Sequence, residues 1–288
     1  TGYAHIQLFG FATLAGNFAF EKKENSIANA AGDGFEDFDI LTVGSSDAYL
    51  YAGLGGPYWV DSNDDGFVTA DDTPATDGAL GIAVGGVTAA LAFLTSREAP
   101  SITYTALNAR ADSATFVGLE GLLTIDVRDL TVEINTASDR DDPEATPDVF
   151  DFNRIEGGGL AVLAGGDAIV LDYDLPLLRV TSTDTTIAVG QFIYLRGGFA
   201  IERSPSVVEV LEDETTRELD VLTLGATNAY AFAGLGGPYW TDSNGDGVLD
   251  GDDTPATDGA MGIALGGVTF GLALLKQTGV AAPATYVA

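Results

Sequence analysis

Residues 52–88 read AGLGGPYWVDSNDDGFVTADDTPATDGALGIAVGGVT, and residues 233–269 read AGLGGPYWTDSNGDGVLDGDDTPATDGAMGIALGGVT. The two stretches differ at eight of 37 positions and stand 181 residues apart, which marks an internal repeat. The offset continues upstream without a gap. Asp39-Ile40-Leu41-Thr42 matches Asp220-Val221-Leu222-Thr223, and Gly16-Asn17-Phe18-Ala19-Phe20-Glu21-Lys22 matches Gly197-Gly198-Phe199-Ala200-Ile201-Glu202-Arg203. Segments 49–54, 80–84, 87–94, 114–119, 122–127, 130–135, 168–173 and 268–275 alternate with a period of two and stop at Gly, Asp or Asn, the pattern of strands and not of helices. Apolar or small residues occupy both phases of the alternation, so the sheets are expected to be covered on both faces or packed against neighbouring units. The fold class is therefore all-β, in an elongated repeated architecture that is β-solenoid-like or made of stacked β-layers, with tandem β-sandwich domains as the alternative.

The repeat divides the chain into block A at 1–95, an unlike block B at 96–186, block A′ at 187–276, and the start of a second B-type block at 277–288. The last assignment rests on Ala284-Thr285-Tyr286-Val287-Ala288, which resembles Ile102-Thr103-Tyr104-Thr105-Ala106. The expected unit is A plus B, repeated in an A–B–A–B array.

Twelve Lys and Arg against 43 Asp and Glu give a net charge of −31, which excludes nucleic acid as a partner because the dominant Coulomb term is repulsive. At 46% hydrophobic residues the chain still builds a core. It has no cysteine, so thiol nucleophiles, thiolate metal sites and disulfides are ruled out together, and His5 is its one histidine. No apolar run reaches the length of a membrane-spanning helix, so no transmembrane segment is expected. Large cysteine-free chains stapled by metals fit secreted proteins, and an extracellular or cell-surface location is expected. The segment opens on Thr1 with no basic stretch ahead of an apolar one, so any signal peptide is expected to lie outside it, as for a mature or excised piece. Nucleophile-elbow, zinc-helix and phosphate-loop motifs are missing, and Gly53-Leu54-Gly55-Gly56 leads into an acidic loop, not a helix. The most chemical-looking segment is also the most repeated, which argues for a structural unit and against an enzyme.

That segment is a twelve-residue loop in each A block. Asp61, Asn63, Asp65, Thr69 and Asp72 stand at positions 1, 3, 5, 9 and 12, with Gly66 at position 6 and the carbonyl of Phe67 at position 7. The second copy offers Asp242, Asn244, Asp246, Asp250 and Asp253, with Gly247 and Val248. A glycine turn that gathers six or seven oxygens from one short stretch is what a calcium ion requires. Clustered carboxylates without a cation would repel one another, which also points to Ca2+. The loops resemble those of EF-hand proteins, and in detail of dockerins, where Asp often closes the loop. The flanks depart from that family: Pro57 and Pro74, like Pro238 and Pro255, forbid the flanking helices. The loops should join strands, which argues against calcium signalling.

Tyr58-Trp59 and Tyr239-Trp240 directly precede the loops. They are read as hydrophobic plugs fixing the loop exit, with sugar stacking as the competing role. The acidic stretch at 139–144, with Asp148 and Asp151, lacks calcium-loop spacing and reads as a solvated turn, a divergent ion site being the sharper option. Residues 209–214 read as a variable surface excursion.

Through its DxNxDG loops and array logic the chain resembles segments of large acidic calcium-loaded tandem-repeat surface proteins: bacterial adhesin stalks, biofilm-matrix proteins and secreted filaments. The resemblance implies an extracellular structural repeat rigidified by calcium, with neighbouring copies of itself as partners in a tandem array or homopolymeric filament, and a polysaccharide or cell surface as a further partner. Two alternatives stand beside it: a carbohydrate-binding module, carried by the Tyr-Trp pairs, and a halophilic origin for the acidity, which explains the charge but not the loop spacing.

Overall fold

The structure, a computed structural model, describes residues 1–210, 216–277 and 284–288. The period-two segments become strands that are longer than the sequence pattern suggests. β1 (Gly2–Leu8), β2 (Ala12–Ala28), β3 (Phe35–Leu54), β4 (Leu80–Ser96), β5 (Ile102–Val117) and β6 (Leu123–Asp139) pair each with the next. A separate hairpin follows, β7 (Leu160–Ala164) and β8 (Asp167–Leu171). The first sheet then resumes with β9 (Leu177–Val189), β10 (Ile193–Val210), β11 (Thr216–Leu235), β12 (Met261–Gln277) and β13 (Thr285–Val287). The result is one eleven-stranded antiparallel sheet in which β6 pairs with β9, and β1 and β13 lie at its two edges. The one helical element among the described residues is a 3-10 turn at Phe152–Arg154.

The chain is all-β, as its alternation implies. Of the arrangements that periodicity leaves open, it takes the layered one: sequence-adjacent strands pair antiparallel in a meander, where solenoid rungs would pair in parallel. A single sheet runs from block A through B into A′. The repeat is visible in the pairing, since Leu94 lies opposite Tyr104 and Leu275 lies opposite Tyr286. The excursion read at 209–214 falls largely outside the described residues, as does 278–283 of the last block.

Strands read as separate at 80–84 and 87–94 are one strand, as are 122–127 and 130–135. At the first join β4 bulges against β3, where the register shifts between Ala48–Val87 and Leu50–Val84, and at the second the ladder is interrupted without a shift. Gly86 and Asp129 adopt positive φ (66° and 49°), and the ladder skips from Gly85–Ser113 to Thr88–Arg110 and from Arg128–Asp184 to Thr131–Thr181. Asp47, Asn228 and Gly267 do the same at 49°, 50° and 64°. Asp47 with Asn228, and Gly86 with Gly267, are repeat partners, so a crease of bulges and ladder interruptions crosses the sheet. Gly, Asp and Asn tolerate the left-handed region, which is why they punctuate the sequence without ending the strands.

One face of the sheet carries a second layer. The excursion between β6 and β9 folds back over β3, β4 and β5, and its hairpin packs Leu160, Val162 and Leu171 on Phe38, Ile40, Ala90, Ala92 and Leu94 in the main core, with Phe150 and Phe152. Gly44 lets the layers meet, since a Cβ there would sit 1.8 Å from the Leu163 carbonyl oxygen. Arg154 ties the excursion down, donating to the Ala28 carbonyl at 2.7 Å and to Glu36 at 3.3 Å while its guanidinium lies 5.0 Å from the Phe150 ring centroid.

Candidate functional site

The two acidic loops lie in the connections β3–β4 and β11–β12, on the same face as the second layer. Both begin on an aromatic clasp. The Trp59 indole donates Nε1–H to the Leu50 carbonyl at 2.8 Å, and Trp240 does so to Ala231 at 2.9 Å. Tyr58 stacks on Tyr51 with ring centroids 5.6 Å apart, and Tyr239 on Phe232 at 5.7 Å. Trp59 meets Tyr49 edge to face at 4.9 Å, and Trp240 meets Tyr230 at 5.1 Å. The indoles lie over Gly85 and Gly266, positions without a side chain to lift them off the sheet. The clasp closes with Ala75 N–H on the Tyr58 carbonyl and Ala256 N–H on that of Tyr239, both at 2.8 Å. The four aromatics expected as plug or sugar platform all pack against the sheet beside the loop, Tyr58 buried and the others half-buried.

Beyond the clasp most of the loop hydrogen bonds recur in both copies. Asp61 accepts the N–H of Asp65 at 3.1 Å and of Gly66 at 2.8 Å, and Asp242 accepts from Gly245 at 2.6 Å and Gly247 at 2.8 Å. The Asn63 carbonyl oxygen takes the Asp65 N–H, and Asp65 takes that of Phe67, both at 2.9 Å. Asn244 and Asp246 repeat these contacts with Asp246 and Val248 at 2.9 and 2.8 Å. Asp72 reaches back across the loop: one oxygen accepts from the N–H of Ser62 (2.7 Å) and of Asn63 (3.3 Å), the other from Thr69 N–H (2.8 Å). Asp253 accepts from Ser243 at 2.7 Å and Asp250 at 2.9 Å. The amides of Thr69 and Asp250, the largest influence in each case, hold the Asp72 and Asp253 carboxyls below the usual carboxylate range.

Thr69 and Asp250, expected as position-9 ligands, accept the N–H of Asp71 and Asp252 at 3.3 and 2.8 Å. Val68 is buried beneath the first loop, while Phe67 and Val248, which offer only carbonyls to an ion, turn their side chains outward. The donor set fits a hard cation, being entirely oxygen, and a carboxylate holding an amide keeps free lone pairs. Among the described residues, however, no three acidic or imidazole groups converge as metal ligands. Asp72 and Asp253 are turned onto amides while Asp61 and Asp65, like Asp242 and Asp246, cap the glycine turn.

How each loop is docked differs, and the sequence reading missed it. In the first copy the Tyr3 hydroxyl accepts the Val68 N–H at 2.7 Å. In the second, the residue 181 positions on is Asp184, which pairs with Arg196 at 2.8 Å, and Arg196 donates to the Gly247 carbonyl at 2.7 Å. Asn228 adds a bond to the Leu249 carbonyl at 3.0 Å. These anchors are the residues that vary between copies, so repeat comparison passes over them. The acidic stretch of block B forms local turns, Asp139 accepting from Asp141 N–H and Asp142 from Glu144 N–H at 2.9 and 3.2 Å.

Comparison with protein-family models, with curated proteins and with solved structures finds no match to this chain.

Proposed function

We propose that this chain is a structural, non-catalytic repeat of an extracellular or cell-surface protein, in which each A-type block is strapped onto a continuous β-wall by a calcium-binding loop. The observation that carries the reading is the recurrence of nearly the same hydrogen-bond set, 181 residues apart, around the same oxygen donors although the intervening residues differ. Asp61, Asn63, Asp65 and Asp72, and Asp242, Asn244, Asp246 and Asp253, would hold Ca2+, with carbonyls from Phe67 and Val248 and further oxygens from Thr69 and Asp250. Calcium would supply charge neutralisation and ligand bonds that exist only in the folded loop, so its binding free energy would add to folding. The open edges at β1 and β13 support neighbouring copies as partners, because an unpaired strand edge accepts another strand.

One observation favours a second reading. The oxygens of Asp72 are already engaged by loop amides, so the strap could be closed by its own carboxylate with no ion. Thermal unfolding in calcium and in excess chelator, with calorimetric ion counting, separates the two. Two ions bound and a higher melting temperature support the calcium strap. An unchanged transition with no binding heat overturns it in favour of the self-closed loop.

A further inference from the structure

The sheet's second face is bare, and its composition is the reverse of what water selects. Across ten strands, Leu8, Ala12, Ala52, Ile82, Phe116, Ile125, Ile187, Leu195, Ala231 and Leu265 lie side by side in one register row. Beyond the crease a second row runs Phe20, Val43, Leu91, Leu107, Ile134, Leu178, Arg203, Leu222, Leu274 and Val287. Its one charge, Arg203, is paired with Asp220 at 3.2 Å. Ile82 is 53% exposed and Phe20 70%. The covered face carries the ions instead: one row there runs Ala90, Asn108, Glu133, Arg179, Glu202 and Thr223, with Arg179 bonded to Glu133 and Glu202 at 3.1 and 2.8 Å.

We propose that this bare face is seated against the acyl chains of a lipid bilayer, the strands forming part of a membrane-spanning β-wall. From Ile125 to Ile134 the strand advances nine residues, about 30 Å at ~3.3 Å per residue, which is about the thickness of a bilayer's hydrocarbon core. Ten strands at ~4.8 Å spacing make the band about 45 Å wide, an apolar surface well beyond the few hundred Å² that soluble monomers expose. The band has two borders. At one end the hairpin turns bear the exposed side chains Phe9, Phe11, Leu122 and Phe192, of which Phe11 and Phe192 are repeat partners, as an aromatic girdle does. At the other, Glu24, Asp39, Thr95, Thr103 and Ser138 form an entirely polar row. Apolar-out alternation with ions on the opposite face is what hydrocarbon selects, and because it permits no unpaired strand edge, β1 and β13 would be joined there by neighbouring strands of the same wall. A second copy on this face would bring another net charge of −31 against the first, whereas a zwitterionic bilayer brings none.

Because the chain has no cysteine, single labels report one site each. Cysteine would be placed at Leu224, on the bare face, and at its neighbour Thr223, on the covered face, in the full chain. An environment-sensitive fluorophore would then be read in phosphatidylcholine vesicles with brominated acyl chains. The Leu224 label is expected to lose most of its emission and the Thr223 label little. Leu91→Asp is expected to release the chain from the vesicles and Thr95→Asp, at the polar border, to leave it bound. If Leu91→Asp does not fold, the label pair still decides. A lipid-free dimer shielding the Leu224 label from aqueous iodide would overturn the proposal in favour of a second copy, and equal quenching by iodide at both sites in a monomer would overturn it outright. Running each arm with calcium and with chelator keeps it separate from the loop reading, which stands or falls on the melting shift.

Discussion

Asp72 accepts the backbone N–H of Ser62 at 2.7 Å across ten residues of chain, and Asp253 holds Ser243 at the same distance. Each loop is thus a ring that a carboxylate closes inside the aromatic clasp. Because the folded carboxyl sits below its ordinary range, its contribution is fully present above that range and is lost as the pH falls through the lowered folded value. Acid titration followed by tryptophan fluorescence should therefore show the loops releasing only beneath the usual carboxylate range. Asp72→Asn together with Asp253→Asn should melt several degrees lower at neutral pH, with that acid transition flattened. An unchanged acid transition in the double variant would show that the clasp lies elsewhere.

The aromatic clasps predict an asymmetry between copies. A Cβ at Gly85 would stand 3.3 Å from the Trp59 ring, while one at Gly266 would stand 2.9 Å from Trp240. Gly266→Ala should cost about 1–3 kcal/mol, within the range for overpacking, and Gly85→Ala less, because the indole needs to shift only slightly. Urea midpoints of the two variants test the order, and a greater loss for Gly85→Ala contradicts it.

Gly44 and Gly225 are repeat partners with different surroundings. The Leu163 carbonyl leaves no room for a side chain at Gly44, whereas the nearest atom to a Cβ at Gly225 is 3.8 Å away. Gly44→Ala should lift the β7–β8 hairpin and destabilise the fold by about 3 kcal/mol, the upper part of the overpacking range. Gly225→Ala should be close to neutral. Amide exchange in Leu160–Ala164 reads the difference directly, and equal protection in both variants would contradict the close approach.

Asn135 is fully buried and donates its amide to the carbonyls of Phe150 and Leu175 at 3.2 and 3.0 Å, while its own carbonyl oxygen has no partner. It pins both ends of the block B excursion to the sheet. Asn135→Ala strands the buried Phe150 carbonyl and the half-buried Leu175 carbonyl and should cost about 1–3 kcal/mol, the range for a buried group left unpaired. Loss of the hairpin's amide protection ahead of the sheet's would localise the effect. Wild-type stability would show the pin to be dispensable.

By itself, the sequence determined the strands, the repeat and the two oxygen-rich loops. Alternation, glycine turns and donor spacing are local properties, and a 181-residue self-match exposes them. Trp59 and Trp240 pack on the sheet because a Tyr-Trp pair beside a glycine-rich strand has a flat surface to lie on. Only the tertiary structure decided what joins what. That Gly86 and Asp129 bend a strand instead of ending it depends on the neighbouring ladder continuing past them. That Tyr3 docks one loop and Arg196 the other depends on strands more than fifty residues away. Above all, the sequence showed apolar residues in both phases of the strands and implied cover on both faces or packing against neighbouring units. Pairing register placed Ile82 beside Phe116 and Ile125, and Glu133 beside Arg179, on opposite faces, with the loops and the hairpin on the ionic one. Which phase faces which way follows from long-range pairing and from bulges that reset the alternation, and neither can be read within a single strand.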